Sequence, residues 1–277
     1  FVALTTSNVS GGAGVSSSAA FEILICEILN FLYNDGKMSE KEKVFISQYA
    51  ENVRFGKPCG LLDQSAIAFG GITLLDFAEE GNVEATPVRG DLSAYTLVLI
   101  ETGGDHKHLT GEYAAITEEM AKVSAFFGKK RLIEVDEGEF YDKLPELKQA
   151  LNGRAIGRAV HFYEENKRVE KLAASLEKGD FAGFLSAVNE SGVSSQTLLQ
   201  NIFPSGDTDQ PISLALAAGR RYLNGGANRV HGGGFAGTTL NVLKNADVPE
   251  FSDKMSKIFG KDHVIPLKVR TVGTIVL

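Results

Sequence analysis

Gly11-Gly12-Ala13-Gly14-Val15-Ser16-Ser17-Ser18-Ala19-Ala20 opens into an apolar run that continues to Leu32. The clustered glycines free the backbone from the steric limits on φ, so the stretch reads as a loop. The serines behind it are candidate helix N-caps, with Glu22 close by, and the pattern predicts a helix over 19–32. Apolar residues fall all around that helix, which predicts burial on every side. A glycine loop running into a helix N-terminus presents free N–H groups and the positive end of the helix dipole, and both favour a phosphate. Hydroxyls at the same point suit phosphate oxygens or Mg2+, a cation that takes hard oxygen ligands. No Gly-Lys-Ser/Thr follows, so this is not a Walker A loop, and no preceding strand or downstream acidic partner marks a dinucleotide fingerprint. A capped tight turn is the alternative reading.

Outward from this loop, the periodicity predicts an amphipathic helix over 40–53, a short helix over 61–69 closed by Gly70-Gly71, and strands over 72–77 and 95–101. Helices are expected over 112–127, 154–177, 180–201 and 209–224. Strands are expected over 229–230, 238–243 and 268–276, around a helix near 250–259. Helices and strands mix without regular βαβ alternation, which indicates an α+β class. The turn over 87–90 places a domain boundary near residue 91, giving domains over 1–91 and 92–277.

The 277 residues are 43% hydrophobic and 23% charged, enough apolar material for a substantial core and too much for a disordered chain. A formal charge of −7 argues against a nucleic-acid partner, because the basic clusters Lys129-Lys130-Arg131 and Arg220-Arg221 are short and isolated. Two cysteines, Cys26 and Cys59, exclude a disulfide framework and a cysteine-based zinc site, and they read as buried thiols of a reducing, cytoplasmic setting. Glu22, Glu27 and Asn30 interrupt the longest apolar run, so no membrane span or signal peptide is expected.

Three more segments carry chemical content. Gly60-Leu61-Leu62-Asp63-Gln64 puts a carboxylate in the first turn of a helix, where it complements the dipole. Leu61, Leu62, Ala66 and Ile67 are expected to desolvate Asp63, and a partly buried carboxylate needs a partner or a task. Arg229-Val230-His231-Gly232-Gly233-Gly234-Phe235-Ala236-Gly237 suggests a backbone pressed against a ligand or another loop, with a glycine-rich hairpin as the alternative. Asp105-His106-Lys107-His108 has a metal-like composition but no further well-placed ligands, and reads as a solvated loop. A Gly-x-Ser-x-Gly elbow is absent, which argues against a hydrolase.

In this order the segments resemble the GHMP-type small-molecule kinases, in the form the galactokinase family takes. Residues 11–20 are similar to the family's second signature, Gly-Gly-Gly-Leu-Ser-Ser-Ser-Ala, and Cys59-Gly60-Leu61-Leu62-Asp63-Gln64 is similar to Cys-Gly-Ile-Met-Asp-Gln. Residues 229–237 resemble the third signature, Arg-Met-Thr-Gly-Gly-Gly-Phe-Gly-Gly, while residues 106–113 and His161-Phe162-Tyr163-Glu164-Glu165 with Arg168-Val169 extend the likeness over nearly the whole chain.

The resemblance implies a two-domain α+β kinase: a partial ribosomal S5-like N-terminal domain, then a ferredoxin-like C-terminal domain with added helices, with ATP and a sugar in the cleft between them. It implies that Gly11, Gly12, Gly14, Ser16, Ser17 and Ser18 hold the nucleotide phosphates, with Ser17 on Mg2+. Asp63 would be the catalytic group at the anomeric hydroxyl, Gly60 and Tyr113 would touch the sugar, and Gly232, Gly233 and Gly234 would support the phosphate loop. The expected activity is ATP-dependent phosphorylation of a hexose, galactose foremost, at the anomeric oxygen. A sensor that binds sugar and ATP without turnover is the alternative. The chain departs from the family at Ala13 and Ala236, which replace glycines, and at Gly192, where the family often has His within Glu-Ser-His-x-Ser. The family's first signature, Gly-Arg-x-Asn-Leu-Ile-Gly-Glu-His-x-Asp-Tyr, which carries most sugar-hydroxyl ligands, is absent. That absence implies an N-terminally truncated chain, inactive as it stands.

Overall fold

The structure, a computed structural model, describes residues 1–9, 15–56, 59–103, 109–235 and 237–277. It divides into two compact units, Phe1–Gly90 with Lys268–Leu277, and Asp91–Leu267. Residues 268–277, expected with the second domain, group with the first.

The first unit runs α1 (Ser17–Tyr33), α2 (Glu40–Tyr49), a π-helical turn (Ala50–Arg54), α3 (Leu62–Phe69) and the antiparallel pair β1 (Thr73–Asp76) and β2 (Glu84–Pro87). A capping box starts α2: the Ser39 hydroxyl accepts the Glu42 N–H and the Glu42 carboxylate accepts the Ser39 N–H. The helix expected to reach residue 53 instead widens after Tyr49, where the Phe55 N–H closes on the Ala50 carbonyl at 3.0 Å. Ile23, Val44, Ala68 and Val83 form the core, with Phe45, Leu61, Ile67, Phe69 and Leu75 around it.

Burial of α1 on every side does not occur. Ala19, Ile23, Cys26, Glu27 and Asn30 are buried, one stripe at helical spacing. Phe21, Leu24, Phe31, Leu32 and Tyr33 are exposed, because α2 and α3 cover that stripe alone. The buried polar groups of the stripe are matched. Glu27 pairs with Lys43 of α2, and Asn30 Oδ1 accepts the Met38 N–H at 2.9 Å. Burial pushes the Cys26 thiol up, with its Sγ 3.7 Å from Ser47 Oγ.

The second unit is built on an antiparallel four-stranded sheet of order β4-β5-β3-β6, from β3 (Tyr95–Glu101), β4 (Ala227–Val230), β5 (Thr238–Lys244) and β6 (Val264–Leu267). Its helices are α4 (Thr110–Phe126), α5 (Glu137–Asp142), α6 (Leu144–Ala150), α7 (Gly153–Glu177), α8 (Phe181–Ser194), α9 (Pro211–Tyr222) and α10 (Val248–Phe259), and a second π-helical turn (Ser195–Leu199) follows α8. Register pairs Leu97 with Val242 and Val98 with Asn241, so the two faces alternate along each strand. Val98, Ile100 and Leu243 meet Ala215, Phe251 and Met255 of α9 and α10. Leu97, Val242 and Ala227 meet Leu172, Leu185 and Val188 of α7 and α8 on the opposite face.

The strand expected over 268–276 is absent. Pairing of β6 with β3 ends at Leu267 opposite Leu97, near the start of β3, and the chain then leaves the sheet. Beyond it, the Arg270 carbonyl accepts the Gly71 N–H at 2.8 Å. A Cβ on Gly70 (φ +66°) would stand 2.3 Å from the Val272 backbone, and one on Gly273 would stand 1.8 Å from the Ala68 carbonyl. Only glycines allow these two backbones to cross.

Candidate functional site

The glycines of the first loop, Gly11, Gly12 and Gly14, lie outside the described residues, as do Asp105, His106, Lys107, His108 and Ala236. The described part of the loop ends at Ser16, whose backbone is left-handed (φ 59°) and whose hydroxyl makes no capping bond to α1. Ser16 is therefore not the side-chain cap its residue type suggested. Ser17 and Ser18 occupy the first turn. The Ser18 hydroxyl donates to Glu51 Oε1 at 3.1 Å, and Glu51, only 4% exposed, sits on the π-helical turn after α2. Glu51 is a residue that sequence reasoning missed, and its one signal was a carboxylate among the polar residues ending an amphipathic pattern.

Asp63 is exposed, contrary to the expected desolvation. Helix α3 turns Gln64, Ser65 and Ala68 inward, so Asp63 on the adjacent position faces out, and Leu62 is exposed as well. Among the described residues, no atom lies within 4 Å of where a Cβ on Gly60 would stand. What fixes this segment is Cys59. Its N–H donates to Asn52 Oδ1 at 2.7 Å, and its carbonyl accepts from Asn52 Nδ2 and Gln48 Nε2, each at 3.2 Å.

In the second unit, the glycine-rich stretch forms the connection between the antiparallel neighbours β4 and β5, which is the hairpin alternative. It is also clamped. The Tyr113 hydroxyl donates to the Gly234 carbonyl at 2.8 Å, and the Tyr113 ring meets Phe235 edge-on at 5.3 Å. A Cβ on Gly233 would stand 2.8 Å from the Tyr113 ring, and one on Gly234 would stand 2.0 Å from the Asn201 carbonyl. Asn201 holds the other side: Nδ2 donates to the Gly233 carbonyl at 3.1 Å and its own carbonyl accepts the Phe235 N–H at 2.6 Å. Behind Asn201, fully buried Arg158 donates to the Leu199 carbonyl at 3.0 Å and to Glu119 at 2.9 Å, while Arg154 chelates the same carboxylate. Burial works against the Glu119 charge, but the Arg154 hydrogen bond and both guanidinium charges outweigh it and hold the carboxyl low.

A second polar cluster joins α7, α8 and β4. His161 Nδ1 lies 2.8 Å from Ser194 Oγ, which also accepts from Arg168 at 2.8 Å, and Glu165 accepts from Arg168, Ser191 and Arg229. Burial pushes the His161 imidazole down to about 4, so it is neutral at neutral pH. Gly192 lies in this interface: a Cβ there would stand 2.7 Å from the Asn228 carbonyl, so α8 approaches β4 more closely than any side chain permits. Among the described residues no three His, Cys, Asp or Glu side chains gather as a metal site, and no helix is long and apolar enough to cross a membrane.

Comparison with known proteins follows the same lines. Residues 2–71 match the GHMP kinases N terminal domain. The chain is 34% identical over 263 residues to a galactokinase of Glaesserella parasuis, covering 92% of this chain and 65% of that protein. It is 26% identical over 261 residues to a galactokinase of Clostridium tetani, covering 93% of this chain and 64% of that protein. The chain thus spans a little under two thirds of the length of these curated relatives. Among solved structures, Lactococcus lactis galactokinase complexed with galactose superposes with a TM-score of 0.77 at 22% identity, over 97% of this chain and 69% of that one. Mevalonate kinase of L. major in complex with R-mevalonate follows at 0.60 and 16% identity, over 94% and 67%. These likenesses establish the fold.

Proposed function

We propose that this chain, which belongs to the GHMP kinases, serves ATP-dependent phosphorylation of a hexose, galactose foremost, at the anomeric hydroxyl. The observation that carries the reading is the presentation of Asp63: an exposed carboxylate at the start of α3, three residues after Gly60, on a backbone held from the π-helical turn. An exposed carboxylate can meet a sugar hydroxyl without first being uncovered. Phosphoryl transfer asks mainly for positioning and charge stabilisation, and Asp63 would accept or orient the proton of the attacking hydroxyl.

The donor set at the start of α1 suits Mg2+. The Ser18 hydroxyl and the Glu51 carboxylate are hard oxygens 3.1 Å apart, and this cation is usually held by one or two carboxylates, water and substrate phosphates. Glu51 with Ser17 or Ser18 would hold it. Bound there, the ion would neutralise charge on the transferring phosphate. Ser16, Gly11, Gly12 and Gly14 would supply backbone N–H groups to the nucleotide phosphates. In the second unit, Tyr113, whose hydroxyl donates to the Gly234 carbonyl, would touch the sugar. The relatives quoted above are named galactokinases, which favours catalysis over a sensor that binds without turnover.

The test is ADP release by the polypeptide of the complete reading frame, with ATP·Mg2+ and a panel of galactose, N-acetylgalactosamine, arabinose and a heptose. Turnover is expected with galactose. Asp63→Ala is expected to lower kcat by about a thousandfold or more while nucleotide affinity stays within a few-fold. Turnover of no sugar on the panel would refute the reading.

A further inference from the structure

We infer that Asn52 is a positioning residue for Gly60 and Asp63, an inference that rests on the sugar-kinase reading above. Among the described residues none packs against Gly60, and Asp63 is exposed. Their geometry is set at Cys59 instead. The Asn52 carboxamide spends both ends on that one residue, accepting its N–H at 2.7 Å and donating to its carbonyl at 3.2 Å. Gln48, one turn earlier, donates to the same carbonyl at 3.2 Å. From the far side, Gln64 Nε2 lies 3.5 Å from Cys59 Sγ, and Gln64 is only 1% exposed. The five residues from Gly60 to Gln64 are thus tied at both ends to Cys59, with Gly60 and Asp63 on the outside of the closure.

The residue type at 52 is what this closure needs. A carboxylate could accept the Cys59 N–H but has no proton for the carbonyl, whereas a carboxamide serves both. The π-helical turn supplies the placement. Its wider winding aims Asn52 at Cys59 while the adjacent Glu51 receives the Ser18 hydroxyl, and such turns recur at functional sites. One turn thereby sets both the Cys59 segment and the start of α1. Asn52 acts through the backbone, so its loss should move sugar kinetics more than nucleotide kinetics.

Two readouts on the complete polypeptide test this, sugar kinetics and the rate at which N-ethylmaleimide alkylates Cys59, with buried Cys26 as the internal reference. Asn52→Ala is expected to raise the sugar KM and the Cys59 alkylation rate each by roughly tenfold, with the ATP KM within about threefold of the parent. Asn52→Asp, which keeps the acceptor alone, should fall between the two. Gln48→Ala, which removes one of two donors to the carbonyl, gives a smaller rise in the same direction and serves if Asn52→Ala does not fold. Cys59 alkylation and sugar KM both within twofold of the parent overturn the inference. Equal rises in the ATP and sugar KM also overturn it, because they indicate a general loss of structure. A parent that phosphorylates no sugar, but whose Cys59 alkylation still rises in Asn52→Ala, defeats the kinase reading and leaves the closure at Cys59 standing.

Discussion

Asp63 and Gly192 illustrate how much one residue can announce and how much its neighbours decide. Asp63 was identifiable from its place in Cys59-Gly60-Leu61-Leu62-Asp63-Gln64, but its exposure was not, because the inward face of α3 is chosen by Gln64, Ser65 and Ala68. Gly192 stood out only as a departure from a family pattern. Its reason is geometric: the Asn228 carbonyl lies where a methyl group would go. Gly192→Ala should therefore destabilise the chain by about 1–3 kcal/mol through forced separation of α8 from β4, read as a lowered urea midpoint with unchanged slope. An unchanged midpoint would show that the interface yields freely. Asn52, Gln48 and Asn201 carried no sequence signal at all, since a carboxamide that bonds to backbone far along the chain looks like any polar surface residue.

At the scale of elements, the long helices and strands β1, β3 and β5 were legible, whereas β2 and β6 were not. Helix α7 begins at Gly153 and ends at Glu177, within a residue of expectation. Strand β2, Glu84-Ala85-Thr86-Pro87, has weak strand propensity and exists because β1 pairs with it across a turn. Residues 268–276 have the alternation of a strand but dock on the first unit instead, where the Arg270 carbonyl accepts the Gly71 N–H, so tertiary context overrides pattern. The joint of α7, α8 and β4 yields a pH prediction. The unfolded chain protonates His161 near 6.5, whereas the folded chain does so only near 4. Stability should therefore fall as pH drops through that window, by at most ~3 kcal/mol, and Glu165, also held low, adds loss at still lower pH. Urea midpoints measured from pH 7 to pH 4 should show the decline, and His161→Gln should flatten it. A profile that His161→Gln leaves unaltered would place the acid sensitivity elsewhere.

For the whole molecule, the α+β class was readable from the mixture of elements, while the return of residues 268–277 to the first unit was not, because chain order says nothing about where a tail docks. That docking predicts a local effect. Deleting Lys268–Leu277 removes the acceptor for the Gly71 N–H and the backbone crossing at Gly70. Hydrogen exchange should then quicken in α3 and β1, whereas the core of Val98, Ile100, Phe251 and Met255 in the second unit keeps its protection. Uniform loss of protection would contradict the division into two units.

In the function proposed above, Asp63 and the segment around it direct a phosphate to the anomeric oxygen of a hexose. The most direct test of that function is the 31P spectrum of the product formed from galactose and ATP·Mg2+ by the complete polypeptide, with Asp63→Ala as control. A new phosphomonoester whose phosphorus couples to the anomeric proton, and which Asp63→Ala does not form, is the predicted result. Phosphate on any other carbon, or ADP released with inorganic phosphate alone, would contradict the account.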